Sequence, residues 1–316
     1  MPWTATDIPD QAGRTIVVTG ASSGLGAATT IALASRGAHV ILANRSTDRS
    51  RELLDRVRRR DPSASLEHLP LDLADLDHVQ AAAAQLADQY PRIDALIANA
   101  GVMAPPLIRT ADGFELQLGI NHLGHVALVG RLLPQLLAAE AARVVVVTST
   151  AHRLGSIDLD DLNWETRPYR RWAAYGRSKL ANLLHVDELQ RRFDLAGEAA
   201  IAVAAHPGYS DTGLQTTGPS MGTRFAGPLV RAGARIGSAV VAQPAAMGAL
   251  PQLYAATAPG VPGGSFWGPD GPGEVRGYPA PAARSPAATD PDLAAGLWDL
   301  SEHLTGISTD LPRSQP

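Results

Sequence analysis

The first two thirds of the chain alternate short apolar runs with longer stretches in which apolar residues recur every three to four positions. The runs at 14–20 (RTIVVTG), 38–44 (AHVILAN), 94–99 (DALIAN), 142–149 (ARVVVVTS) and 200–208 (AIAVAAHPG) are rich in Val, Ile and Ala, a pattern that predicts buried strands. SLEHLPLDL at 65–73 predicts a further one. Between them, 25–36, 47–60, 75–89, 114–138 and 173–194 carry the helical period, several opened by Ser, Thr or Asp able to cap a first turn. Continuous apolar strands alternating with helices are the pattern of βαβ units, whose strands are buried on both faces. The expected fold class is α/β, a single Rossmann-type doubly wound parallel sheet with helices on both faces.

The pattern changes further on. From about 209 to 240 the chain is rich in Gly, Ser and Thr, and 259–288 holds many Pro and Gly. These shifts predict an N-terminal arm over 1–11, a catalytic domain over 12–258 with a substrate lid at about 209–245, and a C-terminal extension over 259–316. The extension is expected to hold a final strand and a short helix, not a second domain. With 316 residues, 45% of them hydrophobic, the chain can fill a substantial core. The net charge of -4 leaves no basic surplus for a phosphate backbone, which argues against nucleic acid as a partner. There is no cysteine, which excludes disulfides and thiolate metal sites. The first residues lack the basic start and apolar core of a signal peptide, and no apolar run approaches the length of a membrane span. A soluble, cytoplasmic protein is expected.

The first strand runs into TGASSGLG (19–26) and then into a helix. Glycines at 20, 24 and 26 permit a tight turn and close approach of backbone N–H groups to a pyrophosphate at the helix N-terminus. The spacing T-G-x-x-x-G-x-G resembles that of the short-chain dehydrogenase/reductase family. The resemblance continues in order through LDL with Asp72, ANAG (98–101), Asn121, Ser149, Tyr175 with Lys179, and HPG (206–208), and spans roughly 12 to 255. ANAG departs by one residue from the family's commoner NNAG. NHLGH, TSTAHRLGSIDLDDL and YGRSKLANLL look most like the retinol-dehydrogenase-like branch and its bacterial relatives.

The resemblance implies a nicotinamide dinucleotide held by Gly20, Ser22, Ser23, Gly24, Leu25, Gly26, Asn44, Arg45, Asp72, Leu73, Asn99, Ala100, Gly101, Pro207, Gly208 and Thr212, together with Tyr175 and Lys179. Asp72 would bond the adenine, Asn99 and Gly101 would border the adenosine ribose, and Thr212 would contact the nicotinamide amide. An NAD enzyme places a carboxylate at the end of the second strand, whereas this chain has Asn44 followed by Arg45. Arg can bind a 2′-phosphate that a carboxylate would repel, so NADP(H) is favoured; the alternative is a solvated Arg45 just beyond a strand.

Tyr175 and Lys179 lie four residues apart and share one face of a helix. A nearby ammonium favours the phenolate and is expected to lower the Tyr175 pKa. Lys179 is the sole lysine of the chain; every other basic residue is Arg. By the resemblance Tyr175 is the general acid or base, Lys179 also holds the ribose hydroxyls, Ser149 bonds the substrate oxygen, and Asn121 holds a water linking Lys179 to solvent. Thr148 and Thr150 flank Ser149, which leaves that position open by one. Trp164, Tyr169 and Trp172 are expected beside the substrate.

His122 and His125 have metal-pair spacing, but no carboxylate or Cys cluster accompanies them, so no metal is expected. His152, His185 and His206 are read as packing or hydrogen-bonding residues, and RVRRR (56–60) as the end of a solvated helix. The implied function is NADPH-dependent carbonyl reduction, or the reverse alcohol oxidation, on an apolar small molecule. A non-catalytic NADP-binding sensor, or a relative with atypical non-redox chemistry, is the alternative. The family likeness also implies a homodimer or homotetramer paired through 114–138 and 173–194, unless the C-terminal extension blocks that surface.

Overall fold

The computed structural model describes residues 1–210, 243–309 and 311. Its sheet has eight strands: β1 (Thr15–Thr19), β2 (His39–Asn44), β3 (Leu66–Pro70), β4 (Ala95–Ala98), β5 (Arg143–Val147), β6 (Ile201–Ala205), β7 (Phe266–Pro269) and β8 (Pro279–Pro281). Their order is β3-β2-β1-β4-β5-β6-β7-β8. Neighbours from β3 through to β7 are parallel, and β8 returns antiparallel to β7. The order reverses between β1 and β4, which opens a crevice beyond the carboxyl ends of these strands.

The helices are α1 (Gly24–Ala34), α2 (Thr47–Arg60), α3 (Leu76–Gln89), α4 (Leu116–Leu118), α5 (Gly124–Leu137), α6 (Arg171–Ala196), α7 (Ala245–Gly248), α8 (Leu250–Thr257) and α9 (Pro291–Thr305). Strand residues are divided between two hydrophobic cores. Val17, Ile41, Leu96 and Val144 face α3, α5 and α6, while Ile16, Val18, Val40, Ile97 and Val145 face α1, α2 and α8. Both faces are thus covered, which is why the strands read as unbroken apolar runs. Ser46 accepts from the Arg49 N–H to open α2, Asp75 accepts from Asp77 and His78 to open α3, and Gly197 closes α6 with φ 71°.

Two elements depart from the sequence expectation. The helix expected over 114–138 is interrupted by a π-helical turn at Gly119–Leu123, which contains Asn121. The turn is held because Asn121 bonds sideways, through Oδ1 from the Val102 N–H at 2.8 Å and through Nδ2 to the Val102 carbonyl at 3.0 Å. The C-terminal extension holds two strands rather than one, and its helix α9 runs for 15 residues. Neither part stands apart: β7 and β8 extend the sheet, and α9 packs Ala294, Leu297 and Trp298 into the same core as α5 and α6.

That docking bears on assembly. The Arg192 guanidinium of α6 lies 4.4 Å from the Trp298 ring centroid, and His185 stacks on the same indole at 5.1 Å. Gly130 of α5 meets Ile307 where a side chain would not fit. The α5 and α6 surface expected to meet a symmetry mate is therefore at least partly covered by the chain's own C-terminus. At the other end, the N-terminal arm is packed down, with Trp3 edge-on to Tyr254 at 5.3 Å and Ile8 buried. Among the described residues, no helix is long and apolar enough to cross a membrane.

Candidate active site

The turn after β1 takes its shape from glycine. Gly20 and Gly24 have φ of 63° and 50°, and a Cβ on Gly26 would overlap the Gly20 carbonyl. Asn99 packs against this turn, its Nδ2 donating to the Thr19 carbonyl at 2.8 Å. The N–H groups of Asn99 and Ala100 both donate to Thr19 Oγ1 at 2.9 Å. Ser23 occupies the N-cap of α1, yet its side chain makes no capping bond. The first N–H groups of α1 are thus left without a side-chain cap beside a turn too tight for a Cβ at Gly26, and this fits the pyrophosphate of a nicotinamide dinucleotide. Leu25 and Gly101 flank the same crevice.

At the end of β2, Asn44 is buried and turned inward, with Nδ2 donating to the Ser46 carbonyl at 3.0 Å and to Ser50 Oγ at 2.8 Å. Arg45 instead stands out, its side chain 77% exposed and 3.7 Å from Asp72 Oδ2. Asp72 also accepts from the Ala74 N–H through Oδ1, and Leu73 beside it is buried against Gly124. No carboxylate occupies the strand end itself, and the exposed Arg45 guanidinium stands beside it, paired with Asp72.

A cavity of about 630 Å³ opens at the carboxyl ends of the central strands. Leu25, Asn99, Gly101, Ser149, Tyr175, Lys179, Pro207 and Gly208 line it, so the candidate catalytic side chains share one space with Leu25 at the edge of the glycine turn. Ser149 lies two residues beyond β5 and caps the short turn Thr150–Leu154, accepting from the Ala151 N–H at 3.2 Å. Its hydroxyl also bonds the Tyr175 phenol. Thr148, by contrast, donates to the Lys179 carbonyl at 2.7 Å. Of these two neighbours, Ser149 is the one bonded to the phenol.

Burial raises the Tyr175 pKa, with the Ser149 bond acting in the opposite sense. This corrects the expected depression. Lys179 Nζ lies 5.9 Å from the phenol ring centroid and donates to the Val147 carbonyl at 3.0 Å. Its own pKa is lowered by burial to about 8. Asn121 lies behind these groups: a Cβ on Gly101 would come 3.1 Å from Asn121 Oδ1 and 3.6 Å from Lys179 Nζ. Asn121 Nδ2 also donates to Ser178 Oγ on α6, tying the π-helical turn to the Tyr175 helix.

The three aromatic residues expected beside the substrate divide. Trp172 lines the cavity. Trp164 and Tyr169 do not, because other partners take them up. Trp164 is buried beneath the Arg177 guanidinium at 4.5 Å, and the Tyr169 hydroxyl donates to Glu115 Oε1 at 2.8 Å. Thr212 and most of the expected lid lie outside the described residues. His122 pairs with Ser301 Oγ at 3.0 Å and His125 with Thr19 Oγ1 at 2.8 Å, and the described residues hold no candidate metal cluster.

The sequence reading missed one wall of the cavity. Gly273, Glu274 and Val275, between β7 and β8, complete the lining, as do Val102, Met103 and Tyr209. Val102, Met103 and Tyr209 directly follow motifs already marked. Gly273–Val275 carry no local motif, and reach the site only because β7 joins β6 and delivers the following turn to the strand ends.

The model of the short chain dehydrogenase family matches residues 14–221. The chain is 38% identical over 308 residues to human retinol dehydrogenase 13, covering 96% of this chain and 88% of that protein. It is 36% identical over 304 residues to mouse polyprenol dehydrogenase, covering 95% and 86%. An uncharacterized protein of Mycobacterium paratuberculosis superposes with a TM-score of 0.80 and 44% identity, over 98% of this chain and 100% of the other. An Escherichia coli CFT073 protein complexed with NADPH superposes with a TM-score of 0.54 and 25% identity, over 69% and 85%. With the ordered motifs gathered on one crevice, the chain belongs to the short-chain dehydrogenase family, among relatives named as retinol dehydrogenases.

Proposed function

We propose that this protein is an NADP(H)-dependent oxidoreductase that interconverts a carbonyl and an alcohol on an apolar small molecule, with Tyr175 as general acid and base. The observation that carries the reading is the meeting of Ser149, Tyr175 and Lys179 in a cavity that is also lined by Leu25 of the glycine turn, Asn99, Gly101 and Pro207–Gly208. Arg45, exposed beside Asp72 where a carboxylate would mark NAD, supports NADP(H). Gly20, Ser22, Ser23, Gly24 and Gly26 would hold the pyrophosphate, and Lys179 with Tyr175 the nicotinamide ribose. The nicotinamide, when bound, supplies or accepts a hydride.

The protein's own part is positioning and proton transfer. Ser149 Oγ and Tyr175 Oη donate hydrogen bonds to the carbonyl oxygen, polarising it and fixing its face. As negative charge builds on that oxygen, Tyr175 Oη gives up its proton, and in the reverse direction the phenolate takes it back. A phenol raised by burial stays protonated at neutral pH, which suits the donor role in reduction. Lys179 stays cationic below its value of about 8 and stabilises the phenolate left behind. Asn121 keeps α6 and the Val102 segment in register through its bonds to Ser178 and Val102.

The lining residues Val102, Met103, Trp172, Tyr209 and Val275 favour an apolar substrate. Retinaldehyde and long-chain isoprenoid aldehydes head the test panel, since the named relatives act on retinol and polyprenol. Loss of NADPH absorbance with members of this panel is expected, and a protein that binds NADPH but reduces none of them would count for a sensor. A cytoplasmic location belongs to the same proposal, and recovery in the soluble fraction of its host cell would support it.

A further inference from the structure

Among the described residues, three non-glycine positions have positive φ, and one of them, Glu274 at 57°, lies in the cavity wall. A left-handed backbone disfavours any residue with a side chain, so the Glu274 side chain must offset that cost locally. Its carboxylate joins three segments. Oε2 accepts from Arg153 Nη2 at 2.9 Å and lies 3.1 Å from His206 Nε2, and Oε1 accepts from the Ala283 N–H at 2.9 Å. Arg153 belongs to the turn that begins at Ser149, and His206 directly precedes Pro207–Gly208.

Backbone contacts reinforce the same junction. The Tyr209 N–H donates to the Val275 carbonyl at 2.7 Å, and a Cβ on Gly208 would overlap that carbonyl. The Ser149 turn is held a second time, because His152 Nδ1 bonds the Ser149 carbonyl at 2.8 Å while its Nε2 accepts from the Ser285 N–H at 3.2 Å. Thus the segment following β7, which carries no family motif, forms part of the cavity wall and braces its proton-transfer side.

We infer that Glu274 is a positioning residue: its carboxylate sets the spacing between the Ser149 turn and the His206–Tyr209 loop, and so aligns the substrate oxygen site with the nicotinamide end of the crevice. In this role the carboxylate acts through Arg153 and His206. The kinetic part of the inference rests on the function proposed above, while the structural part does not.

Glu274→Gly separates positioning from simple stability, because glycine relieves the backbone strain while deleting the carboxylate. The variant is expected to keep the far-ultraviolet spectrum of the parent and a similar melting temperature. Its kcat with NADPH should fall at least about tenfold, and amide hydrogen exchange over 206–209 should speed up by about tenfold. Arg153→Ala should reproduce much of the kinetic loss, and the double variant should lose little more than Glu274→Gly alone. If Glu274→Gly fails to fold, Glu274→Gln is measured in the same two assays, with smaller losses in the same direction expected. Unchanged kcat together with unchanged exchange over 206–209 overturns the inference. Should the parent protein show no NADPH turnover, the proposed function falls, and exchange alone then decides: faster exchange supports the clamp and unchanged exchange refutes it.

Discussion

Mild acid should unfold this protein over a narrow range, because several of its histidines are neutral where a charge cannot be solvated. Burial lowers His122 and His206 to about 4 and His125 and His185 to about 3, against about 6.5 in an unfolded chain. The folded values lie below the unfolded ones, so the stability that neutral burial contributes is complete above about pH 6.5. It drains away as pH falls through that value towards the folded pKa values. Each proton bound only by the unfolded chain costs about 1.4 kcal/mol per pH unit. Four such groups give a slope of about 5 kcal/mol per unit between about pH 5 and 6, above the range in which most carboxylates titrate. His185 offers a clean perturbation: it stacks on Trp298 and its buried Nε2 has no hydrogen-bond partner, so His185→Phe keeps the stacking and removes one titrating group. Urea unfolding followed by circular dichroism across this window should show the slope falling to about 4 kcal/mol per unit in the variant. A parent slope below about 2, or an unchanged slope in His185→Phe, would refute the assignment of these histidines.

Other outcomes follow from the same contacts. Lys179→Arg should fold but lose at least about a hundredfold in turnover, measured by NADPH consumption, because Nζ sits in a buried slot between Val147 and Gly101 that a planar guanidinium overfills. Asn44→Asp combined with Arg45→Ser should weaken NADPH binding and improve NADH use, as read by cofactor fluorescence titration; a parent that already prefers NADH would remove the argument. Light scattering at micromolar concentration should return a monomeric mass, since α9 lies on the α5 and α6 surface through which pairing was expected, and a dimeric mass would show that the covering leaves enough surface to pair.

Much of this architecture was legible in the chain, for identifiable reasons. Five of the first six strands, all but β3, are apolar on both faces, so their runs stand out without alternation, and the glycines at 20, 24 and 26 mark a turn whose backbone or packing disfavours anything larger. Tyr175 and Lys179 were placed together by the helical period alone. What escaped depends on contacts distant in sequence. The π-helical turn at Asn121 adds a residue without disturbing the apolar pattern, and it is Val102 and Ser178 that hold it. β8 is a three-residue edge strand containing two prolines, tolerable only because β7 offers it one open edge. Trp164 and Tyr169 are near Trp172 in sequence, yet Arg177 and Glu115 draw them away from the cavity. Glu274 acquires meaning only when β7 sets the next turn beside His206 and Arg153.

The central claim is that Tyr175 moves the proton in an NADPH-dependent carbonyl reduction, and Tyr175→Phe tests it most directly. The substitution keeps the ring that packs at 6.3 Å from Trp172 and deletes only the hydroxyl bonded to Ser149. NADPH titrated by fluorescence should bind the variant within a few-fold of the parent, while turnover of the best carbonyl substrate falls by about a thousandfold. Near-parental turnover in Tyr175→Phe, with NADPH still bound, would contradict the account.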